Sequence, residues 1–122
     1  MSETAKHKTG NGETAAITGY HAHVYYDAES KPRAARLRAA VEASFAVELG
    51  RWHDKPVGPH PCWSYQMAFA PESFGTLVPW LALNRDGLVL FIHPLTGDEL
   101  ADHDQHAIWL GDKLELDLRA LT

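Results

Sequence analysis

Histidine is the residue type in this chain whose spacing most suggests chemistry. Eight are present, and His21, His23, His53, His60, His93 and His106 fall in or beside segments that the pattern predicts to be ordered. Imidazole is the commonest protein metal ligand and also titrates near neutral pH. In Tyr20-His21-Ala22-His23-Val24-Tyr25-Tyr26 two histidines stand two residues apart in a β-branched and aromatic stretch. On a strand they project from one face and can share an ion. A third ligand from a neighbouring strand end, His93, would complete a three-histidine set and leave coordination positions open. Taken alone, H-x-H on a strand also fits surface or hydrogen-bonded histidines; His7 and His103 are read that way more readily than as ligands, and His53 fits either reading equally.

The elements that must position these side chains follow from periodicity. Residues 17–26 alternate as a strand, with Tyr20, Ala22, Val24 and Tyr26 on the core side and His21, His23 and Tyr25 opposite. Ser30 as N-cap, Pro32 in the first turn, and Ala34, Leu37, Val41 and Phe45 at helical spacing predict a helix over 31–45, with Arg33, Arg36 and Arg38 on its solvated face. A second strand is expected over 46–52 and a Pro/Gly-rich loop over 53–61. The alternation is clearest over 62–70, where Trp63, Tyr65, Met67 and Phe69 oppose Cys62, Ser64, Gln66 and Ala68. Pro71 opens a second helix that Pro79 should kink or end early. Asp86-Gly87 marks a turn before a buried strand over 88–93, and the alternating leucines of 113–118 suggest a final edge strand.

The order is β-α-β-β-α-β with an appended strand, an α+β arrangement of ferredoxin-like type with two helices on one face of an antiparallel sheet. The expected strand order is 4-1-3-2 with the first and third strands parallel, which would bring His21, His53, His60 and His93 to one sheet edge. With 122 residues, one domain over 17–122 is expected, after a polar, disordered tail over 1–16 that lacks the apolar stretch of a secretory signal.

Composition narrows the function classes. A net charge of −5 with no basic cluster argues against nucleic acid as a partner. No apolar run approaches the roughly 18 residues of a membrane span, so a soluble chain is expected. The lone cysteine, Cys62, cannot form an intrachain disulfide and suits a reducing cytoplasm. Most aromatic residues read as core; Tyr25 and Trp52 are better placed to flank an aromatic ligand, and Arg51, solvated by default, could pair with a substrate carboxylate.

Four segments together resemble the DOPA 4,5-dioxygenase family: Tyr20 to Tyr26, Gly58-Pro59-His60-Pro61, Phe91-Ile92-His93-Pro94, and His103-Asp104-Gln105-His106-Ala107-Ile108-Trp109-Leu110-Gly111. The likeness runs over about residues 18–118. It implies a ferredoxin-like domain pairing as a homodimer into a dimeric α+β barrel, and extradiol cleavage of DOPA or a related small catechol with dioxygen. The implied cofactor is Fe(II) on His21, His23 and His93. His60 or His106 would move protons, and Tyr25, Arg51 and Trp52 would contact substrate. Two other readings of the same histidines stand beside it: a non-catalytic dimeric module binding a metal or small aromatic ligand, and a zinc-dependent hydrolase or isomerase. No carboxylate stands out as a ligand among Glu48, Asp54, Glu99, Asp102 and Asp104.

Overall fold

A computed structural model describes residues 16–122; the polar tail expected over 1–16 therefore lies, except for Ala16, outside the described residues. Strand β1 spans Gly19–Tyr26, and its alternation works as the pattern requires. Ala22, Val24 and Tyr26 are buried with the residues of two helices in a single core, which leaves the odd-numbered His21, His23 and Tyr25 for the opposite face.

Helix α1, Lys31–Ser44, buries Ala34, Leu37 and Val41 on that core. Ser30 does not cap it through its side chain. Its hydroxyl instead accepts from the Asp27 N–H and donates to the Asp27 carboxylate, so the two residues close the entering turn on each other. Arg38 departs from the expected solvated face: its guanidinium lies 5.2 Å from the Trp52 ring centroid and 4.9 Å from that of Tyr65, a cation–π arrangement on the core's rim.

Strand β2 is only Glu48–Leu49, shorter than the expected 46–52, with a further isolated bridge between His53 and Ser64. Strand β3, Trp63–Phe69, leads through a 3-10 turn at Pro71–Ser73 into α2, Phe74–Asn84. Pro79 lies inside α2 and does not end it early, one of the two outcomes expected of it. It and Gly75, whose carbonyl loses its helical donor to the proline ring, are both exposed, so water can satisfy that carbonyl while Leu77, Val78 and Leu81 hold the helix to the sheet.

After a turn in which Asp86 and Gly87 both take positive φ, β4 runs Leu90–Leu95, two residues later than predicted. Helix α3, Glu99–His103, is capped by Asp98, whose side chain accepts from the Ala101 N–H. The last strand is β5, Ile108–Leu110, and not 113–118. The alternating leucines of 113–118 pair with no strand, whereas Trp109 sits opposite Phe91 in register with ring centroids 4.7 Å apart. Gly111, at φ +89°, then turns the chain off the sheet towards a 3-10 turn at Leu118–Leu121.

The sheet order is β2-β3-β1-β4-β5, the expected 4-1-3-2 with β5 outside β4. Every pairing is antiparallel, including β1 with β3, which corrects the expected parallel pair. Each helix returns the chain so that the next strand skips one position; β3 and β1 must then run in opposite directions. The start of β1 consequently lies beside the ends of β3 and β4, and His21 stands directly opposite His93. His60, preceding β3, comes from the other end. It therefore joins the group over the face of the sheet and not along its edge.

No helix among the described residues is long and apolar enough to cross a membrane. The histidine face is partly covered within the chain: Pro59, His60, residues of α3 and Leu121 meet His21, His23 and His93 around one cavity.

Candidate metal centre

The cavity on the histidine face has a volume of about 220 Å³ and is lined by His21, His23, His60, His93 and His103 together with Gln66, Glu99 and Asp102. That is below the usual range of pockets for drug-sized ligands, roughly 300–1,000 Å³, and suits a ligand of about one ring.

At its floor, the ligand nitrogens of His21, His23 and His93 all lie within 4.8 Å of one another. The three come from adjacent positions of β1 and β4, where the antiparallel register sets His21 against His93 and the two-residue repeat adds His23. His93 Nδ1 donates to the Pro94 carbonyl at 3.0 Å, so in the neutral ring Nε2 keeps its lone pair. That nitrogen is 3.2 Å from His23 Nε2. Two imidazoles bound at about 2.1 Å to one ion stand about 3.0 Å apart at a right angle and about 3.4 Å apart at a tetrahedral angle. The pair already has the separation of neighbouring ligands.

Protonation favours the same use. Burial, followed by the charges of His60, His93, His21 and His103, pushes His23 well below its ordinary 6.5. Burial is also the main cause that lowers His93 to about 4 and His60 to about 4. His21 is lowered by burial and His103, partly offset by Glu99. Near neutral pH each ring is uncharged, with a lone pair on one nitrogen, and a divalent ion can bind where a second proton is disfavoured. The donor set fits such an ion.

Two further histidines bracket the trio. His60 lies against His23, centroids 4.2 Å apart, and His103 against His93, 4.0 Å apart. The Tyr25 hydroxyl is 2.8 Å from His60 Nδ1, and burial raises the Tyr25 phenol far above its ordinary 10, so the hydroxyl stays protonated and can donate. His103 Nδ1 donates to the Glu99 carbonyl at 2.7 Å. Asp102, 2% exposed, accepts from the Thr96 N–H at 2.8 Å, the Thr96 hydroxyl at 2.6 Å and His106 Nδ1 at 3.0 Å. Burial would raise its carboxyl, but these donors outweigh it and hold the group ionised. Its oxygens are thus committed to fastening α3 to the strand end.

The remaining sequence candidates stand elsewhere. His106 has a side chain 45% exposed and reaches inward only through Asp102. Tyr25 is at the site, but as the partner of His60. Trp52 packs on Tyr26 and Tyr65 with the Lys31 ammonium 5.2 Å from its ring centroid, on the core side of the sheet. Arg51 is exposed and, like Trp52, does not line the cavity. His53 bridges Ser64 through its backbone and is likewise not among the cavity's lining residues. Sequence reasoning missed His103, which is 7% exposed where solvation was expected. The available signal was Gly97-Asp98, a turn followed by an N-cap, which starts α3 and carries His103 four residues beyond Glu99.

Comparison with known proteins agrees with these segments. Residues 20–120 match the model of the Dopa 4,5-dioxygenase family. A DOPA 4,5-dioxygenase of Amanita muscaria is 36% identical over 114 residues, covering 86% of this chain and 50% of the relative. An uncharacterized 21.2 kDa protein of Botryotinia fuckeliana is 35% identical over 111 residues, covering 81% and 61%. The chain thus spans about half to three-fifths of the length of these curated relatives. A crystal structure from Nostoc punctiforme, of a protein provisionally described as a dioxygenase, superposes with a TM-score of 0.88 at 53% identity over 88% of this chain and 94% of that one. Since the family match takes in every histidine of the cavity as well as the strands that carry them, the chain belongs to the Dopa 4,5-dioxygenase family.

Proposed function

We propose that this chain is a non-haem iron(II) extradiol dioxygenase that cleaves the ring of DOPA or a related small catechol with dioxygen. The observation that carries the reading is the trio His21, His23 and His93, neutral near pH 7 and with ligand nitrogens within 4.8 Å. Three protein ligands leave about half of an octahedral ion's positions free, enough for both oxygens of a catechol and for dioxygen. Ferrous iron, when bound, supplies the Lewis acidity and electron transfer that let dioxygen react with the ring.

The chain's own residues would do the rest. The cavity of about 220 Å³ has room for a single ring. Phe91, fully buried beneath His23, His60 and His103, gives the histidine face a rigid apolar support. His60, with Nδ1 taken by Tyr25, offers Nε2 for moving a proton at the substrate. His106 would act only indirectly, by fixing Asp102. The reading includes a homodimer of barrel type in a cytoplasmic setting, which light scattering and cell fractionation can check.

Purified protein would be loaded anaerobically with ferrous iron, mixed with a catechol panel that includes DOPA, and exposed to oxygen. Stoichiometric oxygen uptake with a yellow ring-opened product is expected. Bound iron without oxygen uptake would instead favour a metal-binding or aromatic-binding module.

A further inference from the structure

We propose that His103 is a substrate-contacting residue of this site, its Nε2 accepting a hydrogen bond from a hydroxyl of the bound catechol. The proposal rests on the dioxygenase reading above and adds to it the residue that orients the ring. A row of four imidazoles runs His60, His23, His93, His103, with successive centroids 4.2, 5.2 and 4.0 Å apart. The inner two belong to the metal trio. The outer two wall the cavity on either side.

Their hydrogen bonds set what each flank presents to the cavity. His103 Nδ1 faces a backbone carbonyl, Glu99 O, at 2.7 Å. A carbonyl only accepts, so Nδ1 carries the proton and, in the neutral ring, Nε2 is a lone-pair nitrogen. His60 Nδ1 faces the Tyr25 hydroxyl at 2.8 Å. That hydroxyl can donate to Nδ1 or accept from it, and where it donates the proton of His60 sits on Nε2. The His103 wall therefore presents an acceptor whichever way Tyr25 turns. A hydroxyl group of a catechol held on the trio can donate to that acceptor.

His103 is also a poor candidate for a purely structural role. Its helix already has an Asp98 cap, and α3 is fastened to β4's end by Asp102 through Thr96. Its one hydrogen bond among the described residues runs through Nδ1 to Glu99, which leaves Nε2 available to a ligand in the cavity that His103 lines.

Two substitutions separate the nitrogens. His103→Asn keeps a donor attached to Cγ, where Nδ1 bonds Glu99, and removes the acceptor. His103→Gln places an amide oxygen one atom further out, near Nε2. Nitrogen-15 NMR of the metal-free protein reads the tautomer directly, and anaerobic calorimetry of the ferrous protein reads catechol affinity with no turnover. The expected results are an unprotonated Nε2 on His103, unchanged iron content in both variants, and a dissociation constant raised roughly 5- to 10-fold in His103→Asn, as for one lost hydrogen bond, but within about 2-fold of wild type in His103→Gln. A protonated Nε2 in neutral His103, or a His103→Asn variant that binds catechol like wild type, overturns the proposal and leaves the dioxygenase reading intact. A wild-type ferrous protein that neither binds catechol nor consumes oxygen overturns that reading itself.

Discussion

Acid should destabilise the metal-free protein in a window that surface groups do not explain. His60 and His93 fall from an ordinary 6.5 to about 4 on folding, and His23 falls well below 6.5, in each case chiefly through burial. The unfolded chain therefore binds protons between pH 6.5 and 4 that the folded chain refuses. Stability is fully present above pH 6.5, is lost as pH falls through that window, and levels off once the folded rings protonate. At 1.36 kcal/mol per pH unit, each excluded proton costs about 2 kcal/mol between pH 6.5 and 5, so His60 and His93 together cost about 4 kcal/mol, and His23 adds in the same direction. That approaches the whole stability of an ordinary domain, about 5–15 kcal/mol. Urea unfolding followed by circular dichroism at half-unit steps from pH 7.5 to 5, in chelator-treated protein, measures the slope. His60→Asn should lower the slope by about one proton's worth, roughly 1.4 kcal/mol per pH unit. A stability that stays level across the window would refute the burial and neutrality assigned to these rings.

Two other substitutions test how the site is held. Asp102→Ala leaves the Thr96 N–H, the Thr96 hydroxyl and His106 without their acceptor and should cost about 2–4 kcal/mol in urea unfolding, with Asp102→Asn milder. Gly111→Ala sets a methyl 2.7 Å from Arg85 Nη1 on a backbone at φ +89°. It should lower stability by about 1–3 kcal/mol, measured by thermal unfolding.

How much of this was legible in the chain depends on the range of the forces involved. Alternation over Gly19–Tyr26 and Trp63–Phe69 reports which side chains face an apolar layer, so the core and the histidine face could both be read from it. The trio His21, His23 and His93 was likewise within reach, because strand order and period two suffice to bring them together. The last strand was not. Residues 113–118 alternate as well as any strand, but pairing depends on a free edge, and Ile108–Leu110 takes it by setting Trp109 on Phe91. His103 was misread because its burial comes from α3, a five-residue helix too short to show a periodicity. Trp52 and Arg51 looked close to the histidines only while β1 and β3 were taken as parallel; with the two antiparallel, the chain after β2 that carries them runs beside the Tyr26 end of β1, away from His21.

The most direct test of the central claim follows the oxygen atoms themselves. Iron-loaded protein would turn over its best catechol under oxygen-18 gas, with the product trapped by borohydride before its aldehyde oxygen exchanges, and mass spectrometry would count the label. Two labelled oxygens per cleaved ring, with no product from a His23→Ala variant that retains its fold, is the predicted result. A single label, or turnover that survives loss of His23, would contradict it.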